Sequence, residues 1–578
     1  MEHFQPIYNI AELCSQKGLA NAILCPGSRC APLTLAFARH KKIKCRTITD
    51  ERSAGFIGLG LAQQTQNAVI LVSTSGTAAY NLAPAVAEAY FSNTPLIVFT
   101  ADRPSEWIGQ HDGQTIHQQH LFGKHVKAFY NLPQDYDHGD DTWAINRMVN
   151  EAVNIAMEYP QGPVHINAPF REPLYPVNSI KYDKNVRVIA PIHHDKSISK
   201  AVSEYIKAQW KKCRRVLIVG GQQKKNSALL ARLKSASNKH SLPVAGDILS
   251  NLHSLKGTIR HADLFLGQCP EPVRRSLRPE LLITFGDSVI SKNLKLYLRK
   301  FPAREHWHIQ PAGIVSDTFQ QLTKIIRTTP ETFFEMLESL PARKSADDSA
   351  QQDYLARWGA EEKRAAGVLK SFLPGANSGE LDLAASVLKQ LPETCNLHLA
   401  NSMAVRYANI AGLAPSQSNV RVFSNRGTSG IDGCTSTAIG HSLGSNVPNI
   451  LITGDLAFFY DRNAFWNNYP VPNLRVLLLN NHGSIIFKMI DGPGSLQESD
   501  EYFVTRQTLN ARAICAEFGF NYLSAEKDKG VIKTFLKPGR TANVLELESD
   551  IDKNKKLFDR LKQQMKQSYE TSLSVAPR

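Results

Sequence analysis

Short apolar runs recur along this chain at intervals filled by helix-length segments, and that alternation restricts the possible folds more than any other feature. In the first third the runs are AILCPGS (22–28), TITD (47–50), AVILVSTSG (68–76), PLIVFTADRP (95–104) and GPVHINAP (162–169). Helical patterns such as AAYNLAPAVAEAYF (78–91) lie between them. Near-continuous apolar strands spaced by helices read as a parallel sheet covered on both faces. The pattern repeats in RVLIVGG (215–221), LPVAGD (242–247), LLITFGD (281–287) and EHWHIQPAG (305–313). It returns in NLHLANS (396–402), VRVFSNRG (420–427), NILITGD (449–455), LRVLLLNN (474–481) and ANVLELES (542–549). A polar stretch at 176–199 reads as a linker, and a charged helical passage at 328–352 leads out of the second segment. The expected fold is α/β, with three doubly wound, mainly parallel domains at 1–185, 196–345 and 375–560 and a tail at 561–578.

Composition narrows the class. With 42% apolar and 21% charged residues the chain is neither disordered nor low in complexity. No apolar run approaches the roughly 18 residues of a membrane span, and the first ten residues lack a signal-peptide pattern, so a cytoplasmic protein without membrane insertion is expected. Nine cysteines and no CxxC pair argue against a disulfide scaffold or a zinc ribbon. The net charge of +15 is concentrated in residues 196–235, where aromatics do not interleave with the basic residues. Solvated helix faces are the expected reading and an anion site the alternative; a nucleic-acid partner is not expected.

Ligands of open α/β sheets bind beyond the carboxyl ends of the strands, so the polar residues ending each run carry the information. The most specific pattern is Gly454-Asp455-Leu456, an amphipathic stretch LAFFYDRNAFWNNY (456–469), the run LRVLLLNN, and Asn480-Asn481-His482-Gly483. Two parallel strands joined through a helix bring their tips together, which sets the Asp455 carboxylate beside the Asn481 amide oxygen. Hard oxygen donors carrying a single charge suit Mg²⁺, which commonly takes further oxygens from a diphosphate. A helix opening after Gly454 would add backbone N–H donors and a positive dipole end. A helix N-cap at Asp455 and a turn at Asn481 are the plain structural alternatives.

Glu51 opens a glycine-rich helix after the second run, and Ser73-Thr74-Ser75-Gly76-Thr77 follows the third. Taken alone they read equally as a first-turn acid and a βα turn. Arginine-rich clusters end other runs: CPGSRCAPLTLA (Ser28, Arg29), TADRP (Arg103), GQHDGQTIHQ (Gln114), GDSVISKNL (Lys292), ANSMAVR (Ser402, Arg406) and FSNRGTSGIDG (Arg426). Guanidinium forks match carboxylates in two-point contacts, so the set suits a substrate with several carboxylates. Each arginine singly reads equally as a salt-bridged surface residue.

These motifs resemble those of the thiamine-diphosphate enzymes, in order and over nearly the whole chain. The resemblance implies pyrimidine-binding, central and diphosphate-binding domains, with Mg²⁺ (or Mn²⁺) held by Asp455, Asn481 and the carbonyl of Gly483. It implies that Glu51 is the proton-relay group bonding the aminopyrimidine, a role that needs a carboxyl raised by burial. Ser75 and Gly76 would lie against that ring, and Ile431 would be the apolar wedge that bends the cofactor. Gly454, Leu456, Ile486 and Phe487 would complete the cofactor pocket, with plain core packing as the alternative for the last two. Leu456 stands where the third glycine of a GDG triplet is usual; Cys30 and His482 replace the Ser and Asn usual in these motifs.

Within that family the arginine strings are similar to those of the menaquinone-pathway carboligases. That likeness implies 2-oxoglutarate and isochorismate as substrates, lined by Ser28, Arg29, Arg103, Gln114, Lys292, Ser402, Arg406 and Arg426. Glu51, Gln114 and Arg29 would be catalytic, in a homodimer or homotetramer with sites at subunit interfaces. The alternative is another thiamine-diphosphate 2-oxo acid decarboxylase or an acetolactate-synthase-like enzyme. RVLIVGG resembles the start of a nucleotide-binding unit, but its two adjacent glycines are a weak fingerprint and a structural central domain is expected.

Overall fold

The computed structural model describes residues 4–175, 179–192, 197–341, 345–375, 379–490, 492–525 and 530–574. Every strand pairing in it is parallel. The first sheet holds β1 (Asn21–Leu24), β2 (Lys44–Thr47), β3 (Val69–Ser73), β4 (Leu96–Asp102), β5 (Phe129–Asn131) and β6 (Val164–Pro169), ordered β2-β1-β3-β4-β6-β5. The middle sheet holds β7 (Val216–Gly220), β8 (Val244–Gly246), β9 (Leu281–Phe285), β10 (Glu305–Ile309) and β11 (Lys324–Ile326), ordered β11-β10-β9-β7-β8. The last holds β12 (Thr394–Leu399), β13 (Asn419–Phe423), β14 (Asn449–Gly454), β15 (Leu474–Asn480), β16 (Asn521–Ser524) and β17 (Asn543–Glu548), ordered β13-β12-β14-β15-β17-β16. The outer two sheets therefore repeat one topology. Their central strands, such as β3, β4 and β15, are buried along their whole length, as helices on both faces require.

In each outer sheet the second strand leads to a helix, and these two helices, Glu51–Thr65 and Cys434–Gly444, cross each other. Glycine makes the crossing possible. A Cβ on Gly60 would lie 2.0 Å from the Thr437 carbonyl oxygen, and one on Gly440 would lie 2.1 Å from that of Ile57. Asp50 caps the first helix through the N–H groups of Arg52 and Ser53, and its other oxygen accepts from Asn463 at 2.8 Å. Arg52 stacks on Tyr460 and donates to its carbonyl, which binds the first and last domains again.

Several expectations shift. The second strand is Lys44–Thr47, not 47–50. The stretch after Asp455 is a six-residue helix, Asp455–Tyr460, followed by a 3-10 turn, so its dipole is far shorter than the sequence suggested. Within the expected linker, Ile180, Tyr182 and Val186 pack on the first core, while 176–178 and 193–196 lie outside the described residues. The expected tail continues a helix, Ile551–Ser574, that buries Leu561, Met565 and Tyr569 on one face. In the middle domain a Cβ on Gly221 would meet the Asp287 carbonyl oxygen at 2.2 Å, so close loop packing accounts for the second glycine of RVLIVGG. Two arginines of the basic stretch pair with acids elsewhere, Arg215 with Glu280 and Arg232 with Glu335 and Glu338. Among the described residues no helix is long and apolar enough to cross a membrane.

Candidate active site

Four adjacent strand tips of the last sheet carry the sequence motifs. In the spatial order β13-β12-β14-β15 they present Arg426, then Ser402 and Arg406, then Asp455, then Asn481. Register pairs Gly454 with Leu479, so Asp455 and Asn481 leave neighbouring strands side by side. Both are buried, at 1% and 5% exposure. The Asp455 carboxylate accepts from Gln507 at 2.7 Å and from the backbone N–H of Gly483. The Asn481 Nδ2 donates to Glu380 Oε1 at 2.7 Å. Its Oδ1 is buried without a hydrogen-bond partner among the described residues.

An orphaned oxygen at this depth is costly unless something binds it. Burial raises Asp455 above the usual carboxylate range and pushes Glu380 up to about 7, with the charge on Asp455 adding to the latter. A cation between Asp455 and Asn481 would relieve both defects. Among the described residues no cluster of three or more His, Cys, Asp or Glu exists, so a soft-metal cage is absent there. One carboxylate, one amide oxygen and a backbone carbonyl fit a hard divalent ion that draws further oxygens from a bound diphosphate. Gly483 is buried, and a Cβ there would meet Val504 at 2.9 Å. Gly454 and Leu456 flank Asp455; Ile486 and Phe487, half-buried, begin the next short helix; Ile431 stands exposed between β13 and the crossing helix.

The first sheet supplies a separate concavity. A cavity of about 370 Å³ lies over the tips of β1 and β3, where the strand order reverses. Glu51, Thr74, Ser75, Gly76 and Gln114 line it, and all its walls come from residues 26–116. The buried hydroxyls of Ser73, Thr74 and Ser75 have no partner among the described residues, a cradle suited to a polar ring. Burial raises Glu51, although Asn81 donates to it at 3.5 Å. Gly76 requires its φ of +81° and backs onto Gln114, itself at +57°. Gln118, fully buried, accepts from the Gly76 N–H at 2.8 Å and donates to Asn167 and to the carbonyl of Ala101.

The basic residues divide. Arg29 is buried and tied to the Phe170 carbonyl and to Glu172, while Ser28 is exposed. Arg103 pairs with Asp112 and donates to the Gly113 carbonyl, holding the loop that bears Gln114. Arg406 and Arg426 are half-buried neighbours; burial, then their mutual repulsion, lowers Arg406. Arg426 donates to Asn401 at 2.7 Å. Lys292 is exposed, whereas Lys295, one turn on, is the half-buried cation that feels Arg426 and Arg406. Sequence reasoning missed Glu380, Gln507, Gln118 and Lys295. An acid on the apolar side of the helical pattern ELDLAASVL, in line with Ala384 and Val387, was the one available signal for Glu380.

Paired sheets of one topology, a half-buried acid at the first and an oxygen-lined cation position at the second are the arrangement of a thiamine-diphosphate enzyme. Residues 9–121 match the family profile described as thiamine pyrophosphate enzyme, N-terminal TPP binding domain, and residues 190–399 match the middle domain of thiamine pyrophosphate enzymes. The 2-succinyl-5-enolpyruvyl-6-hydroxy-3-cyclohexene-1-carboxylate synthase of Cytophaga hutchinsonii is 44% identical over 98% of this chain and 100% of its own. The synthases of that name from Flavobacterium johnsoniae and Bacteroides thetaiotaomicron are 38% and 36% identical, over 90% and 95% of this chain and 90% and 96% of theirs. The chain belongs to the 2-succinyl-5-enolpyruvyl-6-hydroxy-3-cyclohexene-1-carboxylate synthase family.

Proposed function

We propose that this chain removes carbon dioxide from 2-oxoglutarate and joins the remaining succinyl unit to isochorismate, with thiamine diphosphate and Mg²⁺ or Mn²⁺. The product is 2-succinyl-5-enolpyruvyl-6-hydroxy-3-cyclohexene-1-carboxylate, an intermediate of menaquinone biosynthesis. The cofactor, when bound, supplies the electron sink that makes decarboxylation and carbon–carbon bond formation accessible. Asp455, Asn481 and the Gly483 carbonyl would hold the cation. Glu51, raised by burial, would keep a proton within reach of the pyrimidine ring, and the Ser75–Gly76 turn would seat that ring.

Arg406 and Arg426 carry the substrate reading. Two half-buried guanidiniums side by side repel each other, and among the described residues Arg426 is not bonded to a carboxylate. A substrate with several carboxylates would neutralise them in two-point contacts. Gln114 lines the cavity of the first domain, where Ser28, Arg29 and Arg103 would supply further substrate contacts, and the Ser402 carbonyl accepts from Arg406. Glu51's cavity is walled by residues 26–116, with no residue of the last domain in its lining, an arrangement that fits a site completed by a second copy of the chain. The test is a coupled assay in which isochorismate, 2-oxoglutarate, thiamine diphosphate and Mg²⁺ are each omitted. Product should require all four, and brisk consumption of pyruvate without isochorismate would overturn the reading.

A further inference from the structure

Glu380 opens the helix Glu380–Lys389 at 1% exposure, 101 positions before Asn481. Its Oε1 accepts from Asn481 Nδ2 at 2.7 Å and from Ser549 Oγ at 3.1 Å. Its own backbone N–H donates to Asn554 Oδ1 at 3.0 Å, and Asn554 Nδ2 donates to Ser549 Oγ at 3.0 Å. This closed ring of bonds leaves the carboxylate little freedom. Ser549 is anchored in turn, since its N–H donates to the carbonyl of Asn480.

The two ends of an asparagine amide have nearly the same shape and opposite polarity, so only its neighbours decide which end points where. Glu380 Oε1 is an acceptor whatever the charge on the group, because Ser549 Oγ, which itself accepts from Asn554, also donates to it. Beside Glu380 the amide must present its NH₂, which turns Oδ1 to the opposite side, where it is buried and unpartnered among the described residues. Half a rotation about the last side-chain bond would instead aim two N–H groups at the cation position. We propose that Glu380 is a positioning residue that locks the Asn481 amide in the one orientation able to offer an oxygen to the metal. The proposal rests on the reading of Asp455 and Asn481 as metal ligands. Outer-shell partners of this kind orient ligands rather than touch the ion.

The test measures Mn²⁺ affinity by electron paramagnetic resonance, and Mg²⁺-dependent binding of thiamine diphosphate by calorimetry, on the full chain. Glu380→Ala should weaken metal binding about 10–100-fold, the range typical for loss of an outer-shell partner. Asn481→Asp should weaken it too, despite the added charge, because two carboxylates then face each other across the pair. The double variant Glu380→Gln with Asn481→Asp restores a donor and an acceptor with reversed polarity, and should recover affinity to within roughly threefold of the parent. Melting of the metal-free proteins separates folding from binding, and the polarity swap carries the test if Glu380→Ala does not fold. Parental affinity in Glu380→Ala, or a double variant no tighter than Asn481→Asp, overturns the positioning role. Unchanged binding in Asp455→Ala would instead overturn the metal site itself.

Discussion

Glu88 accepts hydrogen bonds from both the backbone N–H and the hydroxyl of Thr428, at 2.6 and 2.8 Å. A third comes from the Gly427 N–H at 2.9 Å. A helix of the first domain thus holds the loop that carries Arg426 on the last. Replacing Glu88 with Ala leaves three donors unsatisfied at a buried site, a cost on the order of 3 kcal/mol. The melting temperature should drop, and KM for 2-oxoglutarate should rise more than kcat falls. Unchanged KM would show that Arg426 does not depend on this tether.

Gln118 joins the Gly76 turn to Asn167 and to the carbonyl of Ala101, all within the first sheet. Gln118→Leu fills similar space without the bonds and strands a buried N–H at Gly76. We expect a stability loss of about 2–3 kcal/mol. Thiamine-diphosphate binding should weaken several-fold, read by calorimetry. Parental cofactor affinity at the lowered melting temperature would confine Gln118 to a structural role.

Asp461 is buried and accepts from the N–H and hydroxyl of Ser436 at 2.7 Å each. Burial nevertheless pushes it up to about 7 from 3.8. The folded chain therefore holds this proton more tightly than the unfolded one. The resulting stabilisation is present below about pH 4 and lost as pH rises towards 7. Asp461→Asn lacks this titration, so its melting temperature relative to the parent should climb between about pH 4 and pH 7. A difference that stays flat across that interval would mean Asp461 is ionised throughout.

Glu51→Gln and Asp455→Ala should each abolish carboligation, measured as product formation. If the site is shared between copies, mixed dimers regain one intact site. Random mixing of the two inactive variants should then restore about a quarter of parental turnover. No recovery at all would put both halves within one chain.

The Asp455–Asn481 pair was legible in the sequence because a strand–helix–strand unit brings consecutive parallel tips together, and the Gly454–Leu479 register places them there. Three sheets were legible for the same reason. The edge strands β5, β11 and β16 were not, since three or four residues with little burial carry no period. β2 reads KCRT with Arg46 as its buried residue, so hydropathy pointed to the apolar residues just after it. Lys292 matched a motif, while the helix turns Lys295 inward. Glu380 reaches Asn481 across 101 positions, a contact set by how helices pack on the last sheet and written in no local pattern.

At Gly60 and Gly440 main chain lies directly against main chain. Such a joint has no rotamers to relax, so a relative slide of the outer domains would have to break backbone packing at these two glycines. Admission of two anionic substrates and release of carbon dioxide and the ligated product then fall to the loop around Gln114 rather than to a hinge between the outer domains, which makes motion of that loop the step to look for in slow turnover.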